Sequence, residues 1–214
     1  MSAGSKIAAT FVTVEGIEGS GKSTLLSGLA ERLRTHGSEI FATREPGGTP
    51  LGDAIREIFL NRSLAISPLT EALLINAARV THVTDAIGPA LAAGRIVLCD
   101  RFVDSTLAYQ GYGRGLELRY LRELCDAATG GLEPDLTLLV DVPVEISRAR
   151  TRSRHRGVDR LESEDDAFHE RVRHGYLELA RSSPRHVVLD GTLSAQQVLE
   201  RAWLELRERV RAAR

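Results

Sequence analysis

Short apolar runs alternate with longer amphipathic ones along the chain. Residues 9–15 (ATFVTVE) are apolar and β-branched and stop at a glycine, the signature of a strand buried on both faces. From about Lys22 to His36, Leu25, Leu26, Leu29 and Leu33 fall on one helical face, with Gly37 placed as a C-cap. Residues 39–43 (EIFAT) predict a second strand, and 44–50 (REPGGTP), punctuated by Pro and paired Gly, a loop. Helical patterns cover about 51–60 and 68–93, and a third strand, 95–99 (RIVLC), ends at Asp100-Arg101. A polar, glycine-containing segment (102–115) precedes a helix at about 117–128. A fourth strand, 136–142 (LTLLVDV), leads into a helix beginning near Pro143, where proline is tolerated. An arginine-rich stretch, a long polar helix (164–181), a fifth strand (186–190, HVVLD) and a helix at 194–212 follow.

Short apolar strands separated by helices predict an α/β fold: three layers, with a five-stranded parallel sheet flanked by helices. Such sheets bind ligands at the carboxyl ends of their strands. The polar clusters of this chain fall there, after Glu15, Thr43, Cys99, Val142 and Asp190.

The first of these clusters carries defined chemistry. Gly16-Ile17-Glu18-Gly19-Ser20-Gly21-Lys22-Ser23, followed by Thr24, fits GxxxxGK[ST] without a gap, after a strand and at the start of a helix. Glycines let the backbone wrap a phosphate with its N–H groups pointing inward, and the helix adds its positive end. Lys22 then supplies charge to the β/γ-phosphates of ATP, and Ser23 offers a hydroxyl to Mg²⁺. A plain glycine turn accounts for the glycines but not for the Gly-Lys-Ser-Thr run in register. The strand 96–100 (IVLCD) delivers Asp100 to the same edge, placed for Mg²⁺ directly or through water; Asp141 is the weaker competitor. The fold reading is therefore a P-loop NTPase.

Composition sets bounds on the rest. At 214 residues and 43% hydrophobic, the chain can bury one core and reads as one domain. A net charge of −1 argues against an obligate nucleic-acid binder. Cys99 and Cys125 are far apart and read as reduced packing thiols of a cytoplasmic protein. Neither a signal peptide nor an apolar run of membrane-spanning length stands out. His169-Glu170 and His174 miss the spacing of a zinc-protease helix and read as histidines on an exposed helix.

Arginines narrow the chemistry. Arg44, Arg79 and Arg101 fall on segments expected to converge at the sheet edge, and the arginine fork suits phosphate oxygens and base edges. Arg148, Arg150, Arg152, Arg154, Arg156 and Arg160 crowd one stretch, interrupted by Gly157. A solvated patch is the bland reading. Its place between two helices beside the sheet edge favours a lid at about 148–162 that closes over the transferring phosphoryl group.

Over nearly its whole length the chain resembles bacterial thymidylate kinases. The likeness rests on VEGIEGSGKST (14–24), TREPGGTPLGDAIRE (43–57), AARV (77–80), DRFVDSTLAYQGYGRG (100–115), EPDLTLLVDV (133–142) and DRLE (159–162). The resemblance implies phosphorylation of thymidylate (dTMP) by ATP with Mg²⁺, in the cytoplasm, by a homodimer with no nucleic-acid or membrane partner. It implies that Glu18 meets the 3′-hydroxyl of the deoxyribose and that Arg44 and Arg101 hold the acceptor phosphate. Arg79 would read the thymine edge. Ser105, Thr106, Tyr109 and Gln110 would line the nucleoside pocket, with Tyr109 disfavouring a 2′-hydroxyl. The P-loop positions contain no arginine, which in this family goes with catalytic arginines from the lid; Arg152, Arg154 and Arg156 are the candidates beside Lys22 and Arg101. Extra residues around Ser153 to His155 separate RARTR from RGVDR. The sequence also departs from the family at Ile75, where a phenylalanine usually stacks on the base. Isoleucine supplies apolar contact there but no π face. The alternatives are a kinase for another nucleotide or nucleoside, and a non-catalytic P-loop regulator.

Overall fold

The computed structural model describes residues 10–153 and 159–212. Five strands, β1 (Phe11–Glu15), β2 (Ile40–Arg44), β3 (Ile96–Asp100), β4 (Leu136–Asp141) and β5 (His186–Asp190), form one parallel sheet in the order β2-β3-β1-β4-β5. This is the five-stranded parallel sheet flanked by helices that the chain's pattern predicts. Both faces are covered, so alternate strand residues serve different cores. Val12, Val14, Ile96, Leu98, Leu136 and Leu138 point to the face covered by α1 (Lys22–Thr35) and α9 (Ala195–Ala212), where Leu29, Leu33, Trp203 and Leu206 meet them. Phe11, Val97 and Cys99 point to the opposite face, and Leu139 joins the cluster of Ile75, Leu121, Phe168 and Val172 on that side.

Starting from β1, the chain first builds outward through β2 and β3, then crosses to β4 on the other side. Loops leaving the carboxyl ends of β1 and β3 therefore diverge, and a crevice opens between them. The register places Asp100 beside Val14 and also beside Arg44, so the ends of β1, β2 and β3 are level. The second and third strands each lie one residue later than the apolar runs predict, which makes Asp100 the last residue of its strand.

Two helical regions contain a change of pitch. The helical pattern at 68–93 is helical throughout, as α3 (Pro68–His82), a π-helical turn (Val83–Ile87) and α4 (Gly88–Ala92). Pro89 explains the change of pitch. It has no N–H for the α ladder and its ring crowds the carbonyl one turn back, which a wider turn relieves. The polar segment 102–115 is also largely helical: α5 (Val103–Thr106) runs into a π-helical stretch (Leu107–Gly113). Its polar residues face inward, and Thr106, Tyr109 and Gln110 are buried. The remaining helices are α2 (Pro50–Leu60), α6 (Leu118–Thr129), α7 (Val144–Arg152) and α8 (Asp166–Ser182). Thr49, Ser67 and Asp165 cap α2, α3 and α8 by accepting a backbone N–H.

The turn after β1 depends on glycine. Gly16 has φ 136°, and a Cβ there would lie 2.5 Å from the Val140 carbonyl oxygen. Gly21 has φ 109° but open space around it. Both positions disfavour a side chain through φ, while only Gly16 adds an overlap with β4. Gly16→Ala is therefore expected to destabilise the protein more than Gly21→Ala by about 1–3 kcal/mol, the usual range for overpacking. Urea denaturation of the two variants measures the difference; equal losses would contradict it.

Candidate functional site

The P-loop, residues 16–23, wraps the end of β1. Lys22 is buried, and its ammonium donates to the Gly16 and Ile17 carbonyl oxygens at 2.9 Å each. Burial lowers its pKa to about 8, and the nearby Arg101 charge adds to this against the pull of Asp100, Glu18 and Glu15. Ile17 is apolar core, and the Ser20 hydroxyl is buried without a partner. Ser147 of α7 donates to the Glu18 carbonyl at 2.6 Å, which fixes the tip of the loop. Thr24 and Gly19 to Gly21 border a cavity shared with Arg150, Gly191 and Leu193.

A second cavity, with about 540 Å³ of space, opens on the other side of the loop. Glu18, Ile75, Arg79, Arg101, Ser105, Thr106, Tyr109 and Gln110 all line it. Eight residues singled out from the sequence as contacts for an acceptor thus come together around one space. Arg101 is held at φ 73°, an unfavourable conformation for a side-chain-bearing residue. Its fork donates to Glu18 at 2.8 Å, to Tyr176 at 2.9 Å and to Ser105 at 3.1 Å. Tyr109 donates to the other Glu18 oxygen at 2.6 Å, and the Arg101 guanidinium stacks over the Tyr109 ring. Burial would raise the Glu18 pKa, but Arg101, Lys22 and the Tyr109 bond outweigh it and keep the carboxylate ionised.

At the far wall, Arg79 is 1% exposed and every guanidinium N–H has an acceptor. Its partners are Glu45, Asn76, the Cys125 sulfur, the Phe102 carbonyl and the Thr106 hydroxyl. Glu45, which precedes a cis Pro46, also pairs with His82 at 3.0 Å. Ile75, with Phe59, Leu60 and Leu161, makes the apolar part of the wall. Gln110 donates to Glu71, while its carbonyl oxygen is buried and unpartnered.

Arg44 does not line this cavity. It is exposed, sits 3.6 Å from Asp53, and borders an open groove together with Ser23 and Asp100. In that groove the Ser23 hydroxyl donates to one Asp100 oxygen at 3.4 Å, and the other Asp100 oxygen is buried without a partner. One carboxylate, one hydroxyl and an unsatisfied lone pair fit Mg²⁺, which takes few protein ligands and keeps phosphate and water oxygens. Among the described residues there is no cluster of three or more His, Cys, Asp or Glu side chains able to hold a metal by itself. Asp141 is spent on Arg173, at 2.7 and 2.9 Å.

Within the arginine-rich stretch, three side chains have structural partners. Arg148 ties α7 to Asp166 and to the Glu162 and Glu164 carbonyls. Arg150 reaches the Ser20 carbonyl at 3.3 Å and that of Gly191 at 3.0 Å. Arg160 pairs with the buried Glu71 and stacks on Phe59. Arg152 is exposed at the end of α7. Arg154 and Arg156 lie outside the described residues.

Sequence reasoning missed three groups. Arg56 lines the cavity beside Arg101, donating to the Pro46 carbonyl at 3.0 Å; burial, then Arg44 and Arg101, lower its pKa. His169 is not on an exposed surface as expected. It is 3% exposed, because α8 packs its Phe168–His169 side onto the P-loop, while His174 is exposed. Glu15 was read only as a strand end. It is fully buried and accepts the Phe102 N–H at 2.7 Å and the Ser105 hydroxyl at 2.6 Å, with Tyr176 at 3.1 Å. A charged residue closing an otherwise apolar strand was the available signal.

Burial, reinforced by Asp104, raises the Glu15 pKa from 4.5 to about 7. The folded protein then keeps a proton that the unfolded chain has lost. Between those two values the native state binds more protons, so this group's contribution to stability falls as pH rises from about 4.5 to about 7 and is level above it. Glu15→Gln is expected to flatten that slope, read from urea denaturation at several pH values. An unchanged slope would contradict the assignment.

Comparison with known proteins agrees with this fold. Residues 14–202 match the family model described as thymidylate kinase. The chain is 53% identical to the thymidylate kinase of Thermomicrobium roseum over 205 residues, covering 95% of this chain and 97% of that one. It is 47% identical to that of Deinococcus radiodurans over 200 residues, covering 93% and 97%. The crystal structure of thymidylate kinase from Ehrlichia chaffeensis superimposes with a TM-score of 0.75 at 33% identity, covering 92% of this chain and 98% of that one. This chain belongs to the thymidylate kinase family.

Proposed function

We propose that the protein transfers the γ-phosphoryl group of ATP to thymidylate, giving thymidine diphosphate and ADP, with residues 1–214 acting as one kinase domain. Membership of the family makes the chain a nucleoside monophosphate kinase, an ATP-dependent phosphotransferase. The observation that carries the residue assignment is the 2.8 Å pairing of Arg101 with Glu18. It sets an arginine fork at the border between the P-loop and the smaller of the two cavities that flank the loop, about 540 Å³ against about 760 Å³. A binding regulator has no need of that arrangement.

In this reading the ATP phosphates lie in the P-loop (Gly16–Thr24) and the adenosine end extends toward Arg150 and Gly191. The acceptor phosphate takes Arg101 from Glu18, with Arg56 and Arg44 adding positive charge. Glu18, freed on one side, accepts the sugar 3′-hydroxyl, and the stacked Tyr109 ring closes the space below the 2′ position. Thymine lies between Ile75 and Phe102, with its polar edge toward the Arg79–Thr106 pair and Gln110. An oxygen of the acceptor phosphate attacks the γ-phosphorus in line. That P–O bond forms as the bond to the β–γ bridging oxygen breaks, and ADP leaves. The nucleophile is already anionic, so no general base is needed; catalysis is positioning and charge stabilisation by Lys22, Arg101 and the lid arginines Arg152, Arg154 and Arg156. Ser23 and Asp100 would hold Mg²⁺, which when bound neutralises phosphate charge.

The partners proposed are therefore ATP, thymidylate and a second copy of the chain, in the cytoplasm, without nucleic acid or membrane. No helix among the described residues is long and apolar enough to cross a membrane. The dimer is supported by Leu69, Leu73 and Val80, between 42% and 47% exposed on one face of α3.

Lys22→Ala is expected to lower thymidylate-dependent ADP formation by at least about a hundredfold, the scale for losing one preorganised charge contact, with the thermal transition retained. Asp100→Asn should raise the Mg²⁺ concentration needed for half-maximal rate. Near-normal turnover of Lys22→Ala would overturn the P-loop assignment. For the dimer, Leu73→Glu should shift the sedimenting species from two chains to one; a monomeric parent protein would contradict it.

A further inference from the structure

His169 stands out among the buried polar groups. It lies on α8 directly after Phe168, its side chain is 4% exposed, and among the described residues neither ring nitrogen has a hydrogen-bond partner. Buried polar side chains are almost always satisfied, so a fully unpartnered imidazole marks a place where a partner arrives in another state. The nearest candidate is the P-loop carboxylate: Nδ1 is 3.9 Å from the Glu18 Oε2, just beyond hydrogen-bond range. That oxygen is now taken by the Tyr109 hydroxyl at 2.6 Å, and the other by Arg101 at 2.8 Å.

The surroundings fix the form of the ring. Phe168 packs edge-on against it, with ring centroids 5.4 Å apart. Burial holds the pKa below its ordinary value, with Arg148 of α7 acting the same way, against Glu18 of the P-loop and Asp166 and Glu164 beside it. A neutral imidazole carries one N–H, which needs an acceptor once water is excluded. A hydrogen bond to a carboxylate keeps that carboxylate ionised and oriented.

We propose that His169 is a positioning residue for Glu18, donating from Nδ1 to the carboxylate when the acceptor's phosphate and sugar draw Arg101 and Tyr109 away from it. This rests on the acceptor-site reading above. In this structure Glu18 has two strong donors and, among the described residues, His169 has no acceptor. On acceptor binding Glu18 loses the Arg101 contact at one oxygen and the Tyr109 contact at the other, and the imidazole, 3.9 Å from the oxygen that Tyr109 holds, closes onto that second oxygen. His169 would thereby keep Glu18 aimed at the acceptor's hydroxyl without touching substrate.

The test pairs two variants with one spectroscopic readout. His169→Leu fills the volume without a donor, while His169→Asn can present an amide N–H at the position of Nδ1. His169→Leu is expected to raise KM for thymidylate about tenfold, the scale for losing a hydrogen bond to a charged group, with KM for ATP and the thermal transition little changed. His169→Asn should recover most of that loss. In the wild-type protein with ¹⁵N-labelled histidine, thymidylate should move the His169 Nδ1 resonance to that of a hydrogen-bonded donor, and should fail to do so in Glu18→Ala, which has no side-chain acceptor. Normal thymidylate saturation in His169→Leu, or an Nδ1 signal unmoved by saturating thymidylate, would overturn the proposal and leave the acceptor site standing. Equal losses in both variants would assign His169 to packing and overturn it too. A wild-type enzyme that does not bind thymidylate would overturn the acceptor-site reading itself.

Discussion

One buried carboxylate ties together the two loops on which the site is built. Glu15, the last residue of β1, receives the backbone N–H of Phe102 and the hydroxyls of Ser105 and Tyr176. The turn after β3 thus closes onto the strand that carries the P-loop, and Arg101 is forced into its positive-φ conformation between them. Everything that follows depends on this closure. Arg101 can reach Glu18 only because its backbone is pinned there, and Tyr109 is aimed at Glu18 because the helix starting at Val103 begins from the same corner. The cost is the burial of a carboxyl group, expressed in its raised pKa.

The charges of the site balance one another. Lys22 occupies P-loop carbonyls, Arg101 and Tyr109 occupy Glu18, and Asp100 meets Ser23. Each contact is one that a phosphate, a sugar hydroxyl or a cation can take over. Binding then exchanges one satisfied partner for another rather than exposing a bare charge, which keeps the cost of desolvation low. Arg79 behaves differently. With its full set of donors engaged by Glu45, Asn76, Cys125, Phe102 and Thr106, it is part of the rigid wall that shapes the base end of the cavity.

Much of this was legible in the residues. The apolar runs gave five strands within a residue of their observed carboxyl ends, because strands buried on both faces need continuous apolar sequence. The P-loop was legible because its glycines and Lys22 are dictated by backbone geometry and phosphate charge. The segment at 102–115 was not read as helix, since its inward face is built of Ser105, Thr106 and Gln110 and so lacks an apolar stripe. Glu15 and His169 were missed for a related reason. Both are polar residues whose burial depends on contacts made by distant parts of the chain, at Phe102 and Glu18. Arg44 shows the converse: its place at the end of β2 was legible, but its position on the groove beside Asp53 follows from side-chain packing that sequence spacing does not encode.

The central claim is that the space bounded by Glu18, Ile75, Arg79 and Arg101 receives the acceptor nucleotide and admits thymidylate in preference to other monophosphates. Initial rates of ADP formation from Mg-ATP with thymidylate, deoxyuridylate, uridylate, deoxycytidylate and deoxyguanylate test it most directly. The account predicts that thymidylate leads, with Ile75 serving as an adequate apolar wall without a π face, and that uridylate trails deoxyuridylate because Tyr109 closes the 2′ side. A clear lead for another acceptor, or ATP binding with turnover of none, would contradict it.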